Sequence, residues 1–176
     1  MQFHEGDKVM HWTHGLGQVI GLEERDLFGA KGMYYAVRAR DLTVWVPSDI
    51  ELQHRLRAPT SKSSFEDLLT ILSNPGEPLP DDRHERRTLL LEYQADGSTG
   101  SLCRIIGALH AYRKVRSLNE SDQSILKQSR NALLGEWEYV LSITPAQAEH
   151  ELQQLLACQP APAVEIKNSA SKVRHS

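Results

Sequence analysis

The chain has 176 residues, a formal charge of −3, 40% hydrophobic residues and only 6% aromatics, enough for one compact domain or two small ones without large aromatic cores. No run of about 18 apolar residues is present, which excludes a helical membrane span. The opening Met1-to-Asp7 stretch lacks the basic-then-apolar pattern of a secretory signal, so a cytoplasmic location is expected. In that compartment Cys103 and Cys158 are expected to be free thiols, since no zinc-knuckle spacing surrounds them.

Residues 1–58 have the grammar of short strands. Lys8-Val9-Met10-His11, Gln18 to Glu23, Met33 to Arg38 and Leu42-Thr43-Val44-Trp45-Val46 are rich in β-branched or aromatic residues and bounded by Gly, Asp or Pro. His14-Gly15-Leu16-Gly17, Asp26 to Gly32 and Arg40-Asp41 are read as the connections. Pro47 ends the fourth strand because its ring removes a ladder donor. Consecutive short strands with tight turns predict an antiparallel meander that curls into a partly open barrel.

Residues 59–63 read as a linker, and helical spacing follows over residues 64–157. Ser64-Phe65-Glu66-Asp67 has capping-box spacing, with Phe65, Leu68, Leu69 and Leu72 on one face. The proline-rich segment from Asn74 to Pro80 breaks this helix. A second helix starts at Asp81 or Asp82 and runs to about Tyr93. A third carries Leu102, Ile105, Ile106, Leu109, Tyr112 and Val115 as its core stripe. Asn119 caps a fourth, with Leu118 as staple and Ile125, Leu126, Leu133, Trp137, Val140 and Leu141 facing inward. Thr144-Pro145-Ala146-Gln147 opens a fifth, with proline at the tolerated first position. Residues 158–176 have the composition of a disordered tail. The expected fold class is α+β, a small antiparallel β-module followed by an all-α domain of about five helices.

Catalytic constellations are missing from the sequence. Gly29-Ala30-Lys31-Gly32 lacks phosphate-loop spacing, and neither a Gly-x-Ser-x-Gly elbow nor a His-Glu-x-x-His pair occurs. His4, His11 and His14 are the best metal candidates, yet no cysteine or acid completes a set. Glu23-Glu24 reads as a solvated strand end. Neither a metal nor a cofactor is expected, and no enzyme activity.

Charge is distributed unevenly. Residues 83–130 contain nine Lys/Arg against five Asp/Glu inside an acidic chain. Such a patch on paired helices can neutralise phosphates without reading bases. In the fourth strand, alternation places Val44 and Val46 on the barrel interior and Trp45 outward. An outward tryptophan on an edge strand suits strand addition by a partner protein.

Several pieces stand in a characteristic order: Phe3-x-x-Gly6-Asp7-x-Val9, His14-Gly15-x-Gly17, Glu23, the Gly29 turn, Tyr34-Tyr35, Leu42 to Pro47, Arg57, and Leu118-Asn119-x-x-Asp122 through Ile125, Leu126, Ser129, Arg130, Leu133 and Glu136. Taken together they resemble the CarD/CdnL family of bacterial RNA polymerase-binding transcription regulators, whose N-terminal module is shared with transcription-repair coupling factor. The resemblance spans roughly residues 1–157. It implies a Tudor/SH3-like module that docks on the polymerase β-subunit lobe by strand pairing, through Arg25, Thr43, Val44, Trp45, Val46 and Pro47. It also implies a helical domain touching promoter DNA at the upstream edge of the bubble, where Arg83, Arg86, Arg87, Arg113, Lys114 and Arg130 are the candidate contacts. Open-complex stability would be the property regulated, by a monomer. The chain departs from the family where relatives carry a fork-wedging tryptophan: Arg83 stands there, and Trp137 is expected in the core. That departure keeps a second reading open, an adaptor that binds polymerase or another protein without engaging DNA.

Overall fold

The strand signals of the first third produce a five-stranded antiparallel sheet in a computed structural model that describes residues 2–74 and 76–162. Strands β1 (Lys8–His11), β2 (Gly15–Leu27), β3 (Ala30–Ala39), β4 (Leu42–Pro47) and β5 (Leu56–Arg57) lie in the order β4-β3-β2-β1-β5. The Tudor-like module expected from the sequence is present, with a one-turn helix α1 (Leu52–Arg55) that was not expected between β4 and β5. Its core gathers Phe3, Val9, Val19, Tyr35, Val37, Val46, Leu52 and Leu56.

The β2–β3 hairpin is longer than its composition suggests. Pairing continues to Leu27↔Ala30, so the segment read as an irregular connection is strand with a two-residue turn at Phe28-Gly29. Both turn residues have positive φ, 57° and 79°, the backbone that matches strand twist in tight hairpins. Beyond the core both hairpin faces are solvated, so no alternation marks it. A register shift between Val19 and Gly21 marks a bulge, which bends and twists the strand.

Five helices follow, as expected: α2 (Lys62–Leu69, extended by a 3-10 turn Thr70–Ser73), α3 (Arg83–Asp96), α4 (Thr99–Arg113), α5 (Glu120–Leu141) and α6 (Pro145–Ala157). Asp82, Asn119 and Thr144 are N-caps; Asn119 with Asp122 and Thr144 with Gln147 close reciprocal capping boxes. The box expected at Ser64 does not form. Ser61 stands at the N-cap instead, and its hydroxyl bonds Ser64 Oγ rather than a backbone amide. Val115 also leaves the expected stripe: α4 ends at Arg113, and Val115 is 57% exposed. No helix among the described residues is long and apolar enough to cross a membrane.

The two modules share a core. Met10 of β1 and Leu16 of β2 pack with Phe65, Leu133 and Trp137 of the helical domain. Gly15, at φ +72°, lets β2 pass so close to α5 that an added Cβ would lie 3.1 Å from the Ala132 Cα. The His14-Gly15 turn thus serves close backbone approach. Residues 59–63 are tied down as well: the Thr60 amide donates to Glu136 Oε1 at 2.9 Å and its hydroxyl meets that of Thr99 at 2.6 Å. Order also reaches into the expected tail, since Gln159 is buried and donates to the carbonyls of Leu72 and Gly107. The rest of that tail, residues 163–176, lies outside the described residues.

Candidate functional site

Strand β4 ends the sheet on one side, and β3 alone pairs with it among the described strands. Its other edge therefore offers backbone N–H and C=O groups for strand addition. Alternation sets the side chains as anticipated. Val46 is 1% exposed and Val44 packs against the same core, so both side chains are turned inward and only their backbone faces the edge. Thr43 is exposed, while Trp45 and Pro47 are half-buried on the outer face.

Arg25, two strands away on β2, reaches the same face. Its guanidinium carbon lies 3.9 Å from the centroid of the Trp45 ring, and its Nη2 donates to Glu23 Oε2 at 3.0 Å. Glu23 therefore orients the arginine and the arginine covers part of the indole. A cation stacked on an indole contributes about 0.5–1 kcal/mol at an exposed site. The result is a preformed platform of Trp45, Arg25 and the β4 backbone. Arg25 covers part of the Trp45 ring face.

The candidate DNA contacts separate into different environments. Arg86 is a correction. It is 4% exposed, its Nη2 pairs with Asp122 at 3.0 Å, and its Nη1 donates to the carbonyls of Pro80 and Asp81 and to Tyr112 Oη. With its donors committed inside the helical core, Arg86 ties α3 to α4 and α5 and has no surface to offer DNA. Arg87 is exposed and donates to Ser121 Oγ at 2.9 Å, and Arg83 is exposed in the first turn of α3. Asp82 and Glu85 adjoin them in the sequence, and Asp81 pairs with Arg116 at 2.9 Å. The Asp82 carboxyl is held below its usual range chiefly by the Glu85 amide, so it stays charged at the start of α3.

Arg113 and Lys114 are exposed at the end of α4, and Arg130 of α5 pairs with Glu149. His110 lies in their field. Burial lowers its pKa, and Lys114, Arg113 and Arg130 lower it further. The structure thus splits the predicted basic set between α3, where acids offset it, and the α4–α5 end, where cations converge.

A bidentate ion pair between the two modules was not anticipated. The Arg57 fork grips Glu136 with Nη1–Oε1 at 2.7 Å and Nη2–Oε2 at 2.8 Å, and Arg57 Nε donates to the Gly97 carbonyl at 2.8 Å. Burial pushes the Glu136 carboxyl up, but the Arg57 hydrogen bonds and charge, the Thr60 amide and the Thr99 hydroxyl more than offset this and hold it below its usual range. A bidentate arginine–carboxylate pair fixes orientation as well as distance. It joins β5 to α5.

The histidines serve the turn. His11 is 6% exposed, and its Nδ1 accepts from the amides of Thr13 and His14, each at 3.2 Å. Burial, then His14 and Arg55, bring its pKa down to about 4, so it is a neutral acceptor organising the β1–β2 turn. Among the described residues no group of three or more His, Cys, Asp or Glu could hold a metal ion. Burial, then Glu136, push the Cys103 thiol up to about 12, which leaves it unreactive at neutral pH.

Comparison with known proteins finds similarity in both parts of the chain. Residues 3–57 match the model of the CarD-like/TRCF RID domain. Over 151 residues the chain is 24% identical to "Putative transcription factor YdeB" of Bacillus subtilis (strain 168), covering 82% of this chain and 96% of that protein.

Proposed function

We propose that this chain, whose residues 3–57 match the CarD-like/TRCF RID domain model, is a CarD-like transcription regulator that docks on the RNA polymerase β-subunit lobe. Docking runs through the free edge of β4, with Trp45 and Arg25 as the outward contacts. The helical domain then contacts promoter DNA at the upstream edge of the bubble and modulates open-complex stability. The protein works as a cytoplasmic monomer without a cofactor. The observation that carries this reading is the open β4 edge beside a preformed Arg25–Trp45 platform. The similarity to a protein named as a transcription factor extends into the helical domain and supports it.

The test is binding of the full chain to purified polymerase β lobe. Trp45→Ala and Arg25→Glu are each expected to weaken the complex at least tenfold, the cost of losing a central anchor of about 1.4 kcal/mol or more, while the thermal melt stays close to wild type. Unchanged affinity in both variants would sink the proposed docking face.

A second reading, a polymerase-bound adaptor that leaves DNA untouched, is favoured by one observation: Arg86 is buried and the exposed arginines of α3 stand among acids. Footprinting of polymerase–promoter complexes separates the two readings, because an adaptor leaves upstream protection unchanged.

A further inference from the structure

Three adjoining hollows of about 570, 450 and 540 Å³ run along one flank of α5. They are continuous: Asn131 lines all three, Lys127 lines the first and second, and Arg40 and His14 line the second and third. Together they form one groove that starts beside the end of α4, follows α5 and climbs onto the β3–β4 turn. From Gln123 to Tyr139 it extends about 24 Å at 1.5 Å per residue.

The groove is basic along most of its length. Arg113, Lys127 and Arg130 line the first hollow, and Arg40 enters from the β-module in the second. Arg40, Arg113, Lys114 and Lys127 take part in none of the ion pairs among the described residues, whereas Arg130 does. The lining contains one acid, Glu138, at the far end. Between the cations stand a hydroxyl and an amide, Ser124 and Asn131, and these are donors that phosphate oxygens accept. The α3 surface differs, since Asp82 and Glu85 adjoin Arg83 and Arg87 along the helix start, and Arg87 is already engaged by Ser121 Oγ. The two banks of the groove are held at fixed separation by the Arg57–Glu136 fork, by the Gln128 amide on the Thr13 carbonyl at 3.0 Å and by the Gly15–Ala132 contact.

From this juxtaposition we infer that the DNA backbone lies along the α5 groove and across the module junction, with Arg40 and Lys127 as phosphate contacts, rather than on the α3 face. The inference rests on the proposed DNA-contacting function and sharpens where that contact is made. It assigns the β-module a share in DNA binding through the β3–β4 turn, next to the strand that docks on protein.

The experiment measures fluorescence anisotropy of a labelled 25-base-pair duplex with the full chain, at several salt concentrations from about 50 to 200 mM, the range over which phosphate contacts are strongly expressed. Arg40→Ala with Lys127→Ala is compared with Arg83→Ala plus Arg87→Ala. The groove variant is expected to bind about tenfold more weakly and to lose roughly 1.8 from the slope of log K against log salt, 0.9 for each phosphate contact removed. The α3 variant is expected to match wild type. Both pairs are exposed, and melting curves within a few degrees of wild type confirm folding. A loss in the α3 variant with an unchanged groove variant would overturn the inference while leaving DNA contact standing. No duplex binding by wild type at the lowest salt would overturn both. Displacement of the duplex by equimolar polyglutamate would assign the groove to an acidic protein partner and overturn the inference.

Discussion

Arg57→Ala isolates the contact that joins the two modules, and its cost follows from the geometry. The substitution removes both fork bonds to Glu136 and the bond to the Gly97 carbonyl. Glu136 keeps the Thr60 amide and the Thr99 hydroxyl, at 2.9 and 3.0 Å, but its side chain has 0% exposure against 21% for Arg57. Removing one member of a buried pair costs about 3–5 kcal/mol, because the other charge is left uncompensated. Water entering where Arg57 reaches the surface favours the lower end, about 3 kcal/mol. For a chain of this length that lowers Tm by about 6–12 °C. Glu136→Gln strands a side chain that can hydrate, so its cost is smaller, about 1–2 kcal/mol. Because the folded carboxyl is held below its unfolded value, the pair's contribution is present above the usual carboxylate range and is lost as pH falls through the folded pKa. Denaturant unfolding of wild type and Arg57→Ala at neutral and acidic pH reads both effects, and the variant's acid dependence is expected to be shallower. A cost below about 1 kcal/mol at neutral pH would refute the view that this pair holds the modules together.

Other substitutions separate folding from binding. Arg86→Ala leaves Asp122 buried without its partner and is expected to cost about 3–5 kcal/mol in denaturant unfolding, so any loss of promoter activity in that variant reports folding and not DNA contact. Gly15→Ala forces a left-handed φ and a 3.1 Å contact with the Ala132 backbone; about 2–4 kcal/mol of destabilisation by thermal melt is expected. Phe28→Asn replaces a fully exposed side chain at φ 57° with the residue that suits an Asn-Gly turn, and a gain of up to about 1 kcal/mol is expected. His11 has a folded pKa near 4 against 6.5 unfolded, so stability present above pH 6.5 is expected to fall by roughly 1–3 kcal/mol as pH drops toward 4. His11→Gln should flatten that slope in pH-dependent denaturation.

The elements that the sequence made legible are those decided locally. Asn119 with Asp122 and Thr144 with Gln147 announce helix starts because a cap is satisfied within four residues. Trp45 between two valines announces its face because a strand has period two. The β2–β3 extension was hidden because Gly21 to Gly32 meets water on both sides, and no periodicity records pairing without burial. Arg86 was misread because charge alone does not distinguish a surface arginine from a buried one. A signal was available: Arg86, Leu90 and Tyr93 follow helical spacing, which places the arginine on the stripe that carries the core. Glu136 gives the same warning between Leu133 and Trp137. An acid on a buried stripe requires a cation, and only the three-dimensional contact reveals that Arg57, 79 residues away, supplies it.

That pairing bears on function because it determines what the two modules can do together. A flexible linker would let the β-module dock while the helical domain sampled DNA independently, linked only by effective concentration. Here Thr60 of the connecting segment is bonded to Glu136 and Thr99, Met10 and Leu16 share the helical core, and β5 is clamped to α5. Docking through β4 would therefore place the α5 groove at one fixed position, with no ordering entropy left to lose at the junction. The Arg57 fork then predicts a separation of effects. Loosening it in Glu136→Gln should leave affinity for the isolated β lobe unchanged, since β4 and Trp45 are untouched. It should weaken open-complex stabilisation by polymerase carrying the bound protein. Equal loss in both assays would mean that the clamp supports only the fold, and loss in neither would mean that the fixed geometry plays no part in the regulation.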